Sequence, residues 1–286
     1  MKPFDYIKPR SVAEACKLLH KHGEDALVLA GGTDVLIELR RADVNPPTVV
    51  IDISDIPQLK GMQELKNAVN VKPLTTHTAL VESKIIQRFA PLLASAASVI
   101  GSPQIRNRGT IGGNIMNAAT CADTVPPLIA LDAVATFQSV KGKRRIAMDK
   151  LFPKPYKTNT RPDELLVDIQ FPKLLRTART SFIKLGRRNS LSISRLSVAA
   201  IIQQDANGRI TEARIVPGAA FPAWRRISEA EELLINEMPS ESLFVAAGQK
   251  VSEEMIKETG RRWSTEYKEP VIAVLVRRAL QQCCPV

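Results

Sequence analysis

The chain has 286 residues, of which 44% are hydrophobic and 24% charged, so it is long enough for two or three units with their own cores. No stretch approaches 18 uninterrupted apolar residues, and the first five residues lack the apolar core of a secretory signal, so we expect no membrane span and a cytoplasmic location. The formal net charge is +11, but the basic residues are dispersed and the aromatic residues (5%) are not interleaved with them, which argues against a nucleic-acid partner. The excess of basic residues can lie on the solvated surface, or can bind an acidic partner subunit or an anionic nucleotide.

The first predicted unit is a small α/β unit over residues 1–57. Ser11 and Glu14 form a capping-box pattern that predicts a helix, and Gly23 stands where that helix should stop. The apolar residues 26–29 predict a strand. Residues 48–53, which follow the breaker Pro46-Pro47, predict a second buried strand.

The second predicted unit spans residues 58–174. A strand over residues 68–74 and a polar turn at 75–78 lead into a helix through Leu80 and Val81. The sequence further predicts a longer helix over residues 85–100 and a helical turn at Pro126-Pro127. It also predicts a hairpin, in which residues 134–139 pair with 144–148, and a final strand over residues 165–171.

The third predicted unit spans residues 175–286 and changes character along its length. Strands are predicted over residues 180–185, 196–204 and 209–216, with a turn at 205–208. Helices are predicted afterwards, over residues 229–235, 242–258 and 271–281. Strands followed by helices indicate an α+β domain.

Two glycine pairs carry the strongest chemical signal. The first glycine segment is Ala30-Gly31-Gly32-Thr33-Asp34, directly after a predicted strand, and the second is residues 109–114, Gly-Thr-Ile-Gly-Gly-Asn. Glycine lets backbone approach a ligand closely, and successive N–H groups can converge on a phosphate, with a threonine hydroxyl as a further donor. A single Gly-Gly after a strand is more often an ordinary turn. Two with matching chemistry predict one ligand with two phosphates, without a Rossmann fingerprint or a P-loop.

These motifs also resemble a known family. The run Ser102-Pro103-Gln104-Ile105-Arg106-Asn107 before the second glycine segment, together with Leu29 and the first glycine segment, is similar to the FAD-binding medium subunits of the molybdenum hydroxylases. That family includes xanthine, nicotinate and carbon monoxide dehydrogenases. The resemblance extends over nearly the whole chain, including residues 4–6, 163–166 and 182–188. It implies an α+β fold in which a two-subdomain FAD-binding domain of the vanillyl-alcohol-oxidase type precedes a smaller flavoprotein C-terminal domain.

The resemblance also implies which residues bind FAD. Both glycine segments would enclose the pyrophosphate, with the side chain of Asp34 turned away to cap the following turn. The residues implied there are Val28, Leu29, Ala30, Gly31, Gly32, Thr33, Asp34, Val35, Thr110, Ile111, Gly112, Gly113 and Asn114.

Four further positions match the family outside these segments. Asp123 would contact the ribose or adenine side, although its spacing suits a helix N-cap before Pro126 equally well. Lys184 would lie near the isoalloxazine ring and stabilise the reduced, anionic flavin, the alternative being an exposed strand lysine. Ile100 and Leu166 would pack on the ring or simply belong to the core.

No metal site is expected in this chain, and we assign no catalytic residue. The cysteines Cys16, Cys121, Cys283 and Cys284 match no zinc or iron–sulfur spacing, so we expect reduced thiols, with Cys16 in a core and the last two in a tail. We interpret His77 as a capping or surface residue. No Ser-His-Asp or Cys-His arrangement stands out.

The resulting hypothesis is an electron-transfer subunit. The resemblance implies an iron–sulfur small subunit and a molybdenum-cofactor large subunit as partners, with NAD⁺ or another acceptor taking the electrons. Xanthine or a related purine is the first expected substrate of the complex and nicotinate the second. Residues 189–194 lack an aspartate that many members of the resembled family carry, a departure that is also seen in the nicotinate-type branch, so the resemblance implies the flavin more strongly than the substrate. A self-contained flavin oxidase and a basic, non-enzymatic binding protein remain the alternatives.

Overall fold

A computed structural model describes residues 3–41, 47–188 and 191–286. Met1 and Lys2 of the N-terminal stretch, Pro46 of the predicted breaker, and Asn189 and Ser190 lie outside the described residues. Within them, no helix is both long and apolar enough to cross a membrane.

The N-terminal part is a three-stranded parallel sheet with one long helix. Its strands are β1 (Asp5–Ile7), β2 (Ala26–Leu29) and β3 (Val49–Asp52), in the order β1-β3-β2. Helix α1 (Val12–His22) connects β1 to β2, and a short helix α2 (Val35–Glu38) follows the first glycine segment.

The capping residues predicted for α1 are confirmed. Ser11 Oγ accepts a hydrogen bond from the Glu14 amide at 3.2 Å, and the Glu14 carboxylate accepts one from the Arg10 amide at 2.8 Å. Gly23 ends the helix with a φ of 54°, a left-handed conformation that glycine adopts without strain. The buried face of the helix, formed by Ala15, Cys16 and Leu19, packs toward the sheet.

The middle part contains a five-stranded antiparallel sheet in the order β4-β5-β8-β6-β7. Its strands are β4 (Met62–Glu64), β5 (Ala68–Val71), β6 (Val134–Ser139), β7 (Gly142–Ala147) and β8 (Leu165–Pro172). The predicted hairpin is confirmed, because β6 pairs antiparallel with β7 from Val134 opposite Ala147 to Ser139 opposite Gly142.

Six short helices lie between β5 and β6. They are α3 (His77–Glu82), α4 (Lys84–Phe89), α5 (Pro91–Ser98), α6 (Pro103–Arg108), α7 (Ile111–Asn117) and α8 (Val125–Ala130). The single helix predicted over residues 85–100 is wrong. The chain leaves the helical conformation at Ala90 (φ −152°, ψ 53°) because Pro91 disfavours helix at the residue before it and then begins a new one.

The C-terminal part is a three-stranded antiparallel sheet covered by two long helices. The strands are β9 (Arg179–Leu185), β10 (Leu196–Gln204) and β11 (Ile210–Gly218), in the order β11-β10-β9. Helices α9 (Ser228–Glu231), α10 (Glu241–Thr259) and α11 (Thr265–Cys283) follow. The predicted helix over 229–235 is too long, and α11 begins before the predicted residue 271, with Pro270 inside its second turn.

Three clusters of buried apolar side chains underlie these parts, but each part shares residues with its neighbours. Leu165 and Val167 of β8 pack into the N-terminal cluster, and Ala199, Ile201 and Val216 of the C-terminal sheet pack into the middle one. The boundaries at residues 57 and 174 therefore stay predictions of domain limits. The α+β class is confirmed.

Candidate cofactor-binding site

A large cavity lies where the N-terminal part, the middle part and strand β9 meet. Its volume is about 760 Å³, within the range of small-molecule sites. Residues from both glycine segments line it, together with His77, Ile100, Asp123, Glu164, Leu166, Lys184 and residues 191–194.

The first glycine segment passes directly over the backbone of the second. An ideal Cβ built on Gly31 would lie 2.1 Å from the Arg108 carbonyl oxygen and 3.1 Å from Gly109 Cα, so only glycine permits this contact. Gly32 has a φ of +78°, which places it in the left-handed region. Gly31 thus allows the two segments to approach closely, and Gly32 allows the backbone to turn.

The backbone donors of this segment are available to a ligand. Among the described residues, the N–H groups of residues 31–35 have no acceptor, although all five residues line the cavity. Residues 31–33 and 35 are half-buried and Asp34 is exposed. The N–H groups at the start of α2 have no partner within the helix, and successive unpaired N–H groups can bind an anion. Phosphate binding by this segment stays a prediction.

The second glycine segment differs from the predicted loop. Thr110 is the N-cap of α7, and its hydroxyl accepts from the Gly113 amide at 3.0 Å. The Ile111 and Gly112 amides donate to the carbonyls of Thr75 (2.9 Å) and Pro73 (2.8 Å). These three donors are already used within the protein, so the expectation that they converge on a phosphate is wrong.

Gly112 also serves the protein rather than a ligand. An ideal Cβ on Gly112 would lie 2.5 Å from Pro73 Cβ and 2.7 Å from its carbonyl oxygen. The glycine therefore lets α7 pack against the end of strand β5. Two glycines in the first turn of a helix obscure the helix in the sequence, because glycine is a poor helix former.

Of the residues implied by the resemblance, Leu29 and Ile111 do not line the cavity, whereas the others do. Ile111 is fully buried in the middle core. Leu29 is the last residue of β2, and its side chain lies near Gly32 and Leu36. Ile100 and Leu166 reach the cavity wall, where Leu166 is also part of the core.

Asp123 and Lys184 form a buried ion pair in the wall of the cavity. Lys184 Nζ lies 2.8 Å from Asp123 Oδ2 and also donates to the Val99 carbonyl at 3.0 Å. Ser194 Oγ donates to the other carboxylate oxygen of Asp123 at 2.5 Å. Burial raises the pKa of Asp123, while the Lys184 ammonium and the Ser194 hydroxyl act in the opposite direction.

This arrangement settles two of the alternatives left open by the sequence. Only 12% of the Lys184 side chain is exposed, so it is not a surface lysine. Asp123 is not an N-cap, because Thr124 occupies that position before α8. Direct contacts of Asp123 and Lys184 with FAD stay predictions, and the Lys184 charge is balanced by Asp123.

Asp34 also differs from the expectation. The residue lines the cavity, and its carboxylate makes no capping hydrogen bond to α2 but accepts from Asn117 Nδ2 at 3.3 Å and from Thr33 Oγ1 at 3.2 Å. Glu164, another lining carboxylate, is held by Arg144 Nε and Nη2 at 2.8 and 2.6 Å. Among the described residues, Lys184 is the lining side chain with a full positive charge, and it is paired, so the basic excess of the chain does not concentrate here.

The interpretation of His77 as a capping or surface residue is wrong. It is the first residue of α3, after the N-cap Thr76, and only 3% of it is exposed. Its side chain lines the cavity, and Nδ1 has no hydrogen-bond partner. The sequence signal was a histidine directly after two threonines at the end of a buried strand, which we read only as a turn.

The cysteines hold no metal-like arrangement. No group of three or more His, Cys, Asp or Glu side chains within the described ranges could hold a metal ion, and the four cysteines are free thiols. Cys283 is the last residue of α11 and, like Cys284, is buried in the C-terminal core, so the two do not form the expected tail. Burial raises the pKa of Cys283 to about 12.

Comparison with known proteins gives consistent matches over almost the entire chain. Residues 2–174 match the family model described as the FAD binding domain in molybdopterin dehydrogenase, and residues 181–283 match the CO dehydrogenase flavoprotein C-terminal domain. The 6-hydroxypseudooxynicotine dehydrogenase complex subunit alpha of Paenarthrobacter nicotinovorans is 33% identical, with 98% of this chain and 95% of that protein covered. The xanthine dehydrogenase FAD-binding subunit of Escherichia coli O157:H7 is 31% identical, with 97% and 94% covered.

A solved structure matches equally well. A chain of carbon monoxide dehydrogenase from Hydrogenophaga pseudoflava, in a form lacking the Mo-pyranopterin moiety of its molybdenum cofactor, superposes with a TM-score of 0.91. The sequence identity is 31%, with 99% of this chain and 98% of that chain covered. The chain therefore belongs to the family of FAD-binding medium subunits of the molybdenum hydroxylases, and its cofactor is FAD.

Proposed function

We propose that the chain is the electron-transfer flavoprotein of a molybdenum hydroxylase complex and that FAD occupies the cavity between the two glycine segments. The observation that carries the proposal is the run of five cavity-lining N–H groups at residues 31–35 that have no acceptor among the described residues. An anionic diphosphate supplies the acceptors that these donors lack.

The remaining walls suit the other parts of the cofactor. Ile100, Leu166 and Leu165 offer apolar surface for a ring, and the carboxylate of Asp34 offers acceptors for ribose or ribityl hydroxyls. The site residues are those named above as lining the cavity, with Leu29 and Ile111 in supporting positions behind them. Bound FAD supplies two-electron and one-electron redox chemistry, and the protein orients the ring and tunes its potential.

The electrons are proposed to come from partner subunits. The cysteine spacing of this chain provides no iron–sulfur ligand set, and relatives are named as a medium chain or as one subunit of a complex. We infer an iron–sulfur small subunit and a molybdenum-cofactor large subunit as partners, with NAD⁺ or another acceptor taking the electrons.

For the substrate of the complex, we keep a purine of the xanthine type as the first proposal and a nicotinate-type ring as the second. Relatives named for xanthine and for a nicotine derivative have similar identities, 31% and 33%. Both substrate classes contain a nitrogen heteroaromatic ring.

The proposal is tested on the purified chain. Its absorption spectrum should show oxidised flavin at about one FAD per chain, and NADH should reduce a dye slowly through it if NAD⁺ is the acceptor. Substitution of the Thr33 and Asp34 side chains should weaken FAD binding less than Gly31→Ala does, because the proposed contacts to the diphosphate come from backbone N–H groups. A colourless chain that takes up no FAD contradicts the proposed function, and flavin bleaching by xanthine in the chain alone would favour a self-contained oxidase.

A further inference from the structure

The second glycine segment has one neighbouring side chain whose hydrogen-bonding atoms are unused. His77 donates its backbone N–H to the Gly109 carbonyl at 3.1 Å, and an ideal Cβ on Gly109 would lie 3.2 Å from His77 Cδ2. The imidazole therefore packs on Gly109, at the junction where Gly31 contacts Arg108 and Gly109 from the first glycine segment.

Neither ring nitrogen of His77 has a protein partner among the described residues, and Nδ1 is wholly buried. A buried polar atom without a partner is unusual in a folded protein. Three other side chains carry such an atom in the described ranges, namely His22, Asn70 and Arg277, and none of them lines the cavity. Nδ1 has no accessible surface, so a ligand in the cavity cannot reach it. Nε2 also lacks a partner but is not among these buried atoms, and His77 lines the cavity, so Nε2 is the nitrogen that can meet the proposed cofactor.

The charge state of His77 follows from its surroundings. Burial, with a further contribution from Arg106, lowers the pKa of His77 to about 4, so the free protein holds it neutral near pH 7. A neutral imidazole offers one N–H donor and one acceptor nitrogen. Arg106 is fixed nearby, because its guanidinium donates to the carbonyls of Ile100 at 3.0 Å and Gly101 at 3.3 Å.

We propose that His77 is an FAD-binding residue that donates an Nε2–H hydrogen bond to the diphosphate, in place of the second-segment amides that the protein already uses. The inference rests on the proposed function, namely on FAD lying between the two glycine segments. His77 supplies a donor from the Gly109 side of the junction, and residues 31–35 supply backbone donors from the other segment. The proposed contact makes His77 a determinant of affinity for the diphosphate part of the cofactor.

The test compares His77→Phe with His22→Phe in FAD-free protein. His22 also carries a buried, unpartnered ring nitrogen but does not line the cavity, so it is a matched control. Affinities are measured for FAD by flavin fluorescence and for ADP by competition, since ADP keeps the diphosphate and lacks the flavin ring. Because the proposed hydrogen bond is to a charged group, His77→Phe should weaken the binding of FAD and of ADP by a similar factor, about 10- to 100-fold. His22→Phe should change neither affinity.

A second variant separates the hydrogen bond from the shape of the side chain. His77→Gln retains an N–H donor and should keep FAD affinity within about 5-fold of the wild type. The melting temperature of the FAD-free His77→Phe protein should not fall, because no hydrogen bond within the protein is lost.

The inference is overturned if His77→Phe leaves both affinities unchanged, if FAD weakens while ADP does not, or if His77→Gln loses as much affinity as His77→Phe. It is also overturned if the FAD-free melting temperature falls together with the affinity, which would indicate a purely structural residue. Failure of the wild-type chain itself to bind FAD would instead contradict the proposed function.

Discussion

Replacing Gly31 with alanine should separate the two glycine segments and release FAD. The new Cβ would lie 2.1 Å from the Arg108 carbonyl oxygen and 2.9 Å from its carbonyl carbon. Because both are backbone atoms, no side-chain rotation relieves the clash. The segments must move apart by about 1 Å to restore a contact near 3 Å.

This displacement determines how much stability and FAD affinity the substitution should cost. Overpacking of this kind costs about 1–3 kcal/mol of stability. It also moves the N–H groups of residues 31–35 relative to His77 and Thr110 on the facing segment. Loss of a single hydrogen bond to a charged group is worth about 1.5–3 kcal/mol, which weakens FAD binding by roughly 10- to 150-fold.

The assay measures FAD affinity by fluorescence titration and the free energy of unfolding by urea denaturation. Gly142→Ala is the control, because Gly142, the first residue of β7, does not line the cavity, has a φ of +127° and has nothing within 4 Å of its ideal Cβ. It should cost about 1–3 kcal/mol of stability through backbone strain and leave FAD affinity unchanged. Wild-type FAD affinity in Gly31→Ala would refute the claim that the contact between the segments shapes the site.

Two further predictions concern buried charges. Lys184→Met should lower the free energy of unfolding by about 3–5 kcal/mol, because Asp123 is left buried without its ammonium partner, and Lys184→Met/Asp123→Leu should recover most of the loss in urea denaturation. A double variant no more stable than the single one would show that the pair is not the cause. Glu164→Gln should reduce the loss of unfolding free energy in acid. Although burial raises the pKa of Glu164, its hydrogen bonds with Arg144 and the Arg161 amide hold that pKa below its usual value. The ionised carboxylate therefore contributes stability above about pH 4.3, and this contribution disappears as the pH falls further. Equal pH dependence of the free energy of unfolding in both proteins would contradict this assignment.

Much of the fold can be predicted from the sequence, because many of its helices and strands depend on local sequence patterns. Strand β10 was expected at its observed bounds from a run of apolar residues, and the capping pair Ser11 and Glu14 marks the start of α1. The errors occur where one residue overrides a periodic pattern. Pro91 divides an alanine- and leucine-rich segment that otherwise reads as one helix.

The site was predictable in part. The glycine pairs point to the cavity, but their separate roles depend on which backbone each one meets: Arg108 for Gly31 and Pro73 for Gly112. The Lys184–Asp123 pair joins residues 61 positions apart, and no sequence pattern reveals it. His77 was missed because burial follows from tertiary packing against Gly109, whereas its position after two threonines suggested only a turn.

The central claim, that this chain relays electrons rather than oxidising a substrate itself, is tested most directly by flavin absorbance under anaerobic conditions. The FAD-loaded chain alone and the intact complex purified from its native cells are each mixed with xanthine, and separately with nicotinate. We expect the flavin of the complex to bleach with the substrate of that complex and the flavin of the isolated chain to stay oxidised, whereas dithionite bleaches both. Bleaching of the isolated chain by either substrate would show that the chain oxidises a substrate itself and does not act only as an electron relay.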